Sequence, residues 1–146
     1  MNSIHLPALQ VLLPLLSAPI CILIRFSNPS WVFALLISWV TFFISIFLYL
    51  NVQNSQALSY AMGGWSPPWG IEYYVDFLNS YVLLIISGIS ALIVTYSKKS
   101  LEREIAKEKH YIFWTSYLLC VAGLLGVTIT GDAFNTFVFL EISSLS

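Results

Sequence analysis

Long apolar runs separated by short polar stretches dominate the chain. Four runs approach or reach the ~20 residues that an α-helix needs to cross a bilayer, and they cover residues 4–24, 31–50, 77–96 and 111–130. A fifth run begins near Ala133 and reaches Ser146 after roughly 21 Å of helix, which is too short to cross. The pattern therefore predicts an all-α, polytopic transmembrane protein with four complete helices and a truncated fifth. We expect the sequence to be a fragment.

The composition agrees with a membrane protein. Of 146 residues, 58% are hydrophobic and 9% are charged, and the mean hydropathy is +0.83. Soluble domains carry about 25% charged residues. The bilayer is thus the predicted surrounding of the chain, and the net charge of −1 gives no reason to expect a nucleic-acid partner.

The basic residues predict the orientation. Five of the six Lys and Arg residues fall within residues 98–109, and the sixth is Arg25. Because loops rich in Lys and Arg stay on the cytoplasmic side, both of these loops should be cytoplasmic. The N-terminus and the loop at 51–76 are then expected outside a cell (inner) membrane. Leu101 and Ile105, four residues apart, predict a short helix lying at the inner interface.

The outer loop has a pattern of its own. Apolar and polar positions alternate at period two over residues 58–62 and 71–75, and Gly63-Gly64 and Pro67-Pro68 between them are turn signals. The alternation suggests a short β-hairpin on the outer surface of the membrane. Asp76 is expected to cap the third helix, and Asp132 can cap the fifth.

Glu141 is the candidate functional residue. It is a lone carboxylate in the apolar run FNTFVFLEI at 134–142. Nine residues of helix after Asp132 place it roughly 13–14 Å deep, close to the middle of a hydrocarbon core about 30 Å thick. Acidic groups at such a depth are costly and are usually functional. Our hypothesis is that Glu141 carries protons; the alternative is a structural carboxyl hydrogen-bonded to a neighbouring helix.

Other polar residues give weaker signals. No Lys or Arg lies inside the first four runs, so a counter-charge for Glu141 must come from elsewhere. Small and hydroxylated residues in the third and fourth runs, including Ser87, Gly123 and Gly126, are more often helix-packing contacts than the lining of a hydrated path. His5 and His110 are expected on opposite membrane sides and receive no role. We find no phosphate-binding loop, nucleophile–base pair or Cys cluster, and hence expect no cofactor and no metal.

Two segments resemble a known family. The stretch GGWSPPWGIEYYVD at 63–76 and, more specifically, TGDAFNTFVFLEISSLS at 130–146 resemble the antiporter-like membrane subunits of respiratory complex I (NADH:quinone oxidoreductase), membrane-bound hydrogenases and Mrp-type cation/proton antiporters. The resemblance is strongest to the D subunits of Mrp antiporters. It implies a longer subunit with two inverted helical repeats, in which Glu141 pairs with a lysine on the seventh helix. Residues 1–130 would be the N-terminal antiporter-subunit region, and residues 131–146 the truncated start of the proton-translocating core.

The resemblance implies a function with two alternatives. The first expectation is a membrane subunit of a multisubunit Na⁺ or K⁺/proton antiporter, a transporter subunit more than an enzyme, with other membrane subunits as partners. The second is a cofactor-free proton-pumping subunit of complex I or of a hydrogenase-type complex. A third, from a different class, is a membrane scaffold that takes no part in transport.

Overall fold

The structure, a computed structural model, describes residues 5–54, 58–61, 72–130 and 133–146, most of which are helical. Five α-helices and two strands follow one another as α1 (Leu6–Ile24), α2 (Ser27–Asn54), β1 (Leu58–Ala61), β2 (Glu72–Val75), α3 (Phe77–Glu104), α4 (His110–Ile129) and α5 (Ala133–Leu145). A single 3-10 turn at Lys107–Lys109 precedes α4. The first four helices are long and apolar enough to cross a membrane, which confirms the predicted polytopic α-helical fold.

Two helices are longer than the hydrophobic pattern predicted. Both α2 and α3 have 28 residues, or about 42 Å, against a hydrocarbon core about 30 Å thick. The predicted short interfacial helix is wrong, because α3 continues to Glu104 and its Leu101 is buried at 6% exposure. Lys, Glu and Arg are good helix formers, so a helix that carries them can extend beyond the apolar core into the polar interface.

The start of α3 follows the predicted cap. Asp76 has an extended backbone, and its carboxylate accepts a hydrogen bond of 2.7 Å from the backbone N–H of Asn79. This bond satisfies one of the free N–H groups of the first helical turn. The predicted role of Asp76 is confirmed. Asp132, the other predicted cap, lies outside the described residues.

The two strands form an antiparallel pair. Leu58 lies opposite Val75, and Ala61 lies opposite Glu72. Val75 is fully buried, and β2 contacts α1, α3 and α4. The pair therefore closes the end of the bundle at which α2 ends and α3 begins. The turn predicted between the two strands, at 63–70, lies outside the described residues, as do positions 62 and 71 of the predicted strands. The side of the membrane on which the pair lies stays a prediction.

Helix α4 is the centre of the bundle. It packs against α1, α2, α3 and α5, while α2 packs mainly against α3. One core cluster, including Val11, Leu48, Leu83 and Leu125, fills the half of the bundle near the strands. The other, including Ala18, Val94, Trp114 and Leu118, fills the opposite half. Because α5 packs mainly on α4, that contact positions Glu141.

Candidate functional site

Two glycines of α4 pack against α5, the helix that carries Glu141. A Cβ built on Gly126 would overlap the ring of Phe139. One built on Gly123 would lie 2.7 Å from the Cβ of Ser143 and 2.9 Å from the carbonyl oxygen of Phe139. Small residues let transmembrane helices approach closely, so α4 and α5 meet backbone to backbone here. The prediction that Gly123 and Gly126 are packing contacts is confirmed, and the structure adds that α5 is their partner.

Glu141 lies on the face of α5 that points away from α4. Phe139, which contacts α4, is 5% exposed, whereas Glu141, Phe137 and Leu140 are exposed. Two residues along a helix correspond to a rotation of about 200°, so the side chains of Phe139 and Glu141 leave the helix on opposite sides. The carboxylate is therefore presented outward from the four-helix bundle.

The depth of Glu141 can be measured against α4. The Cβ built on Gly123 would meet the carbonyl oxygen of Phe139 and the amide nitrogen of Ser143 at 2.9 and 2.8 Å, and these two groups bracket Glu141 along α5. Glu141 is thus level with Gly123, six residues or roughly 9 Å from the end of α4 at Ile129. The depth of roughly 13–14 Å predicted from the sequence was counted from Asp132, which precedes α5, whereas this distance is counted from the end of α4. The side chain still lies within the span of α4.

The surroundings of Glu141 are apolar apart from serine hydroxyls. A groove of about 370 Å³ is lined by Phe137, Leu140, Glu141, Ser143 and Ser144. Both hydroxyls donate to carbonyl oxygens of their own helix, Ser143 to Leu140 at 2.9 Å and Ser144 to Glu141 at 3.2 Å. Within the described part of the chain, no Lys, Arg or His lines this groove. A group that balances the charge of this carboxylate has room to approach from the open side of α5.

A polar chain crosses the bundle inside α1, α2 and α3. Gln10 Nε2 donates to Ser45 Oγ at 2.5 Å, and Ser87 Oγ donates to the same oxygen at 2.8 Å. All three side chains are buried to within 1% exposure. Sequence reasoning placed Ser87 among packing residues but missed Gln10. The available signal was an amide standing alone in an apolar helix, since such groups are seldom buried without a partner.

His110 is also more than a boundary residue. Its ring is 2% exposed and lies between the start of α2 and the end of α3. Nδ1 is 2.6 Å from Ser27 Oγ, and Nε2 is 3.0 Å from the carbonyl oxygen of Ile105. His5, at the start of α1, lies at the other end of the bundle. Among the described residues, no group of three or more His, Cys, Asp or Glu side chains could hold a metal ion.

Comparison with known proteins shows which proteins the chain is similar to. No family model matches the chain. Over 145 residues the chain is 34% identical to NADH-quinone oxidoreductase subunit N of Desulforudis audaxviator, covering 97% of the chain and 29% of that protein. Over 138 residues it is 30% identical to the D subunit of the Na⁺/H⁺ antiporter of Bacillus subtilis, covering 92% of the chain and 27% of that protein. The chain is thus similar in sequence to membrane subunits of both an NADH-quinone oxidoreductase and a Na⁺/H⁺ antiporter.

Solved structures have the same arrangement of helices. The chain superposes on the membrane-bound sulfane sulfur reductase, an archaeal respiratory membrane complex, with a TM-score of 0.87 and 26% identity, over 97% of the chain and 29% of the matched chain. It superposes on the Mrp complex of Dietzia with a TM-score of 0.86 and 20% identity, which shows the fold. The chain thus spans less than a third of the length of the proteins that it matches.

Proposed function

We propose that the chain is part of a membrane subunit of a multisubunit Na⁺ or K⁺/proton antiporter, and that Glu141 carries protons. The supporting observation is the placement of one carboxylate, outward on α5 and level with Gly123 inside the span of α4. An ionisable group at that depth is functional by default. In this proposal residues 131–146 begin the proton-translocating core, and α1 to α4 are the support on which it rests.

The proposed mechanism needs a second charge. Glu141 shares its groove with Phe137 and Leu140, and a cation close to a carboxyl group favours the ionised form of that group. No cation occupies that position in the described part of the chain, so the remainder of the subunit or a neighbouring membrane subunit would supply it. A cation moving toward the open side of α5 would release the proton, and its withdrawal would favour proton uptake.

The proposed orientation has the N-terminus outside a cell membrane. His110 holds Ser27 and the carbonyl of Ile105 together, so the turn containing Arg25 and the basic end of α3 lie at one end of the bundle. All six Lys and Arg residues belong to this end, and the positive-inside rule assigns it to the cytoplasm. Glu141 would then be nearer the outer face.

Redox-driven proton pumping is the second candidate function. The chain is 34% identical to a protein named NADH-quinone oxidoreductase subunit N, and 26% identical to a chain of a respiratory membrane complex. In that case the same carboxylate would respond to electron transfer elsewhere in the complex. The two functions differ in the driving force. Proton movement would follow an imposed Na⁺ or K⁺ gradient in the first and an added electron donor in the second.

The test is Glu141→Gln in the full-length subunit within its assembled complex. Everted vesicles should take up or release protons in response to Na⁺ or K⁺ with the wild type and lose at least nine-tenths of that flux with the variant. Assembly should be normal, because an exposed side chain is replaced by one of equal size. Ser144→Ala, on the same face of α5, is the matched control and should retain most of the flux. Undiminished flux in Glu141→Gln would overturn the proposal.

The same vesicles separate transport from a scaffold role. A scaffold predicts that Glu141→Ala reduces the amount of assembled complex while the flux per complex stays unchanged. Proton transport predicts a normal amount of assembled complex and a reduced flux per complex. Flux should therefore be normalised to assembled complex measured by blue-native electrophoresis.

A further inference from the structure

One end of the bundle combines an apolar groove with an isolated arginine. The groove has a volume of about 490 Å³ and lies between the end of α1 and the first turns of α2. Its lining is apolar except for one amide and consists of Ile24, Asn28, Pro29, Val32, Phe33 and Leu36. Leu36 is nine residues into α2, so the groove extends roughly 14 Å from the helix start toward the middle of the bundle.

Arg25 lies in the turn between Ile24 and Asn28, two residues that line this groove. It follows Ile24 directly, and its left-handed backbone, with φ of 55°, ends α1 and turns the chain into α2. Its side chain is exposed. The first acidic residue of the chain is Glu72, in β2 at the other end of the bundle, and no described carboxylate pairs with Arg25. The guanidinium, with five donors and no acceptor, therefore has its bonding capacity available for an anion.

The surrounding end of the bundle is basic overall. It carries Lys98, Lys99, Arg103, Lys107 and Lys109 together with Glu102, Glu104 and Glu108. Lys98 Nζ lies 4.4 Å from the centroid of the Trp31 ring. This lysine of α3 therefore already makes a cation–π contact with α2. The three glutamates belong to the end of α3 and the 3-10 turn, whereas the groove belongs to α1 and α2. Arg25 thus has no acidic neighbour on the two helices that form the groove.

We propose that this groove binds one anionic phospholipid. An acyl chain lies along Val32, Phe33 and Leu36, and the phosphate accepts hydrogen bonds from the Arg25 guanidinium, with the Asn28 amide as a second donor at the groove. Charge complementarity selects the occupant. The quaternary ammonium of a zwitterionic headgroup offsets the attraction between its phosphate and a cation, and an apolar helix of a neighbouring subunit would leave the arginine unpaired. Basic pockets between transmembrane helices bind anionic headgroups in this way.

The experiment uses the full-length subunit in its assembled complex. A photo-reactive diazirine residue at position 36 is cross-linked in detergent micelles supplemented with phosphatidylglycerol or with phosphatidylcholine of the same acyl chains. Mass spectrometry then identifies what is attached. With the native Arg25, phosphatidylglycerol adducts should predominate. Because one basic residue near the surface favours an anionic lipid by an amount equal to about fivefold in affinity, Arg25→Gln should reduce the phosphatidylglycerol adduct about fivefold and leave the phosphatidylcholine adduct unchanged.

Two further variants make the result specific. Arg25→Lys keeps the positive charge and should retain most of the phosphatidylglycerol adduct. Lys107→Gln removes a charge from the same end of the bundle but outside the groove, and should change the adduct less than twofold. Cross-links to a peptide of another subunit would overturn the proposal, as would equal labelling by both lipids or equal losses in Arg25→Gln and Lys107→Gln.

Discussion

Gly126 lies against the ring of Phe139 with no space for a methyl group between them, since an added Cβ would overlap three ring carbons. This pair joins the central helix α4 to the helix that carries the candidate proton site. Three residues earlier on α4, Gly123 faces the backbone of α5 at the level of Glu141. The position of the carboxylate is therefore set by two residues that have no side chain, one helix away.

Gly126→Ala should displace α5 from α4. Over-packing a close contact typically costs about 1–3 kcal/mol, and the ring of Phe139 can move only by breaking its contact with α4. We expect the free energy of unfolding of the full-length subunit to fall by about that amount, measured in mixed micelles. Ion flux per assembled complex should also fall, because Glu141 moves with α5.

The matched control for this substitution is Gly88→Ala on α3. A Cβ there would lie 3.2 Å from the Cε2 atom of Phe42, which can adjust by a few tenths of an ångström. Little loss of stability and normal flux are expected. Equal effects of the alanine at 88 and at 126 would mean that the α4–α5 contact has no special role.

The pattern of the sequence was sufficient for the helices but not for their contacts. Continuous apolar runs of about the length of a bilayer crossing form helices in lipid, so α1 to α4 follow from the hydropathy alone. The end of α3 could not be obtained in that way, because Lys98 to Glu104 are as compatible with a charged loop as with a helix that extends into water. The burial of Leu101 against the bundle favours the continued helix.

The sequence identifies the residue of the candidate site, but it does not predict where that residue lies relative to α4. Glu141 stands out as the acid within an apolar run, but its depth depends on where α5 meets α4, and that depends on Gly123 and Gly126. His110 and Gln10 were missed for a related reason. Their partners, Ser27 at a distance of 83 residues and Ser45 at a distance of 35, are far away in the sequence. The local periodicity of a sequence does not indicate contacts between residues so far apart.

Ser45→Ala should destabilise the bundle because it leaves Gln10 without a partner. Gln10 Nε2 donates to Ser45, while its Oε1 atom is buried without a hydrogen-bond partner among the described residues. Leaving a buried amide unpaired costs about 1–3 kcal/mol, so a loss of that size is expected in the free energy of unfolding. Gln10→Leu alone should be nearly neutral, and adding it to Ser45→Ala should recover most of the loss.

Ser38→Ala is the control for that cycle. Ser38 is buried on the same helix, and its hydroxyl makes no hydrogen bond within the described part of the chain. Removing an unpaired hydroxyl should leave the stability unchanged or raise it slightly. A loss for Ser38→Ala as large as that for Ser45→Ala would contradict the importance of the Gln10 contact.

His110→Ala should loosen the basic end of the bundle. The substitution removes both the contact with Ser27 Oγ and the one with the carbonyl oxygen of Ile105, and it leaves a cavity in place of a ring that is 2% exposed. The expected loss is about 2–4 kcal/mol, since a cavity is added to two lost hydrogen bonds. Hydrogen exchange should quicken at the end of α3 and the start of α2 but not at the start of α3.

Ser27→Ala tests which contact matters. It removes only the Nδ1 partner and should cost about 1 kcal/mol. In the His110→Ala background the same change should add almost nothing, because its partner is already gone. Additive losses would show that Ser27 and His110 stabilise the protein independently.

The orientation of the bundle can be measured with single cysteines in a full-length variant in which every native cysteine, including Cys21 and Cys120, has been replaced. Gln53, exposed near the end of α2, and Lys107, exposed in the 3-10 turn before α4, lie at opposite ends of the bundle. In intact cells a membrane-impermeant maleimide should label Gln53→Cys and leave Lys107→Cys unlabelled until the membrane is permeabilised, because the basic end faces the cytoplasm in the proposed orientation. The reverse labelling pattern would mean that the bundle has the opposite orientation in the membrane. Glu141 would then lie nearer the inner face, and the Arg25 groove would face the outer leaflet, where anionic lipid is not enriched as it is on the cytoplasmic side.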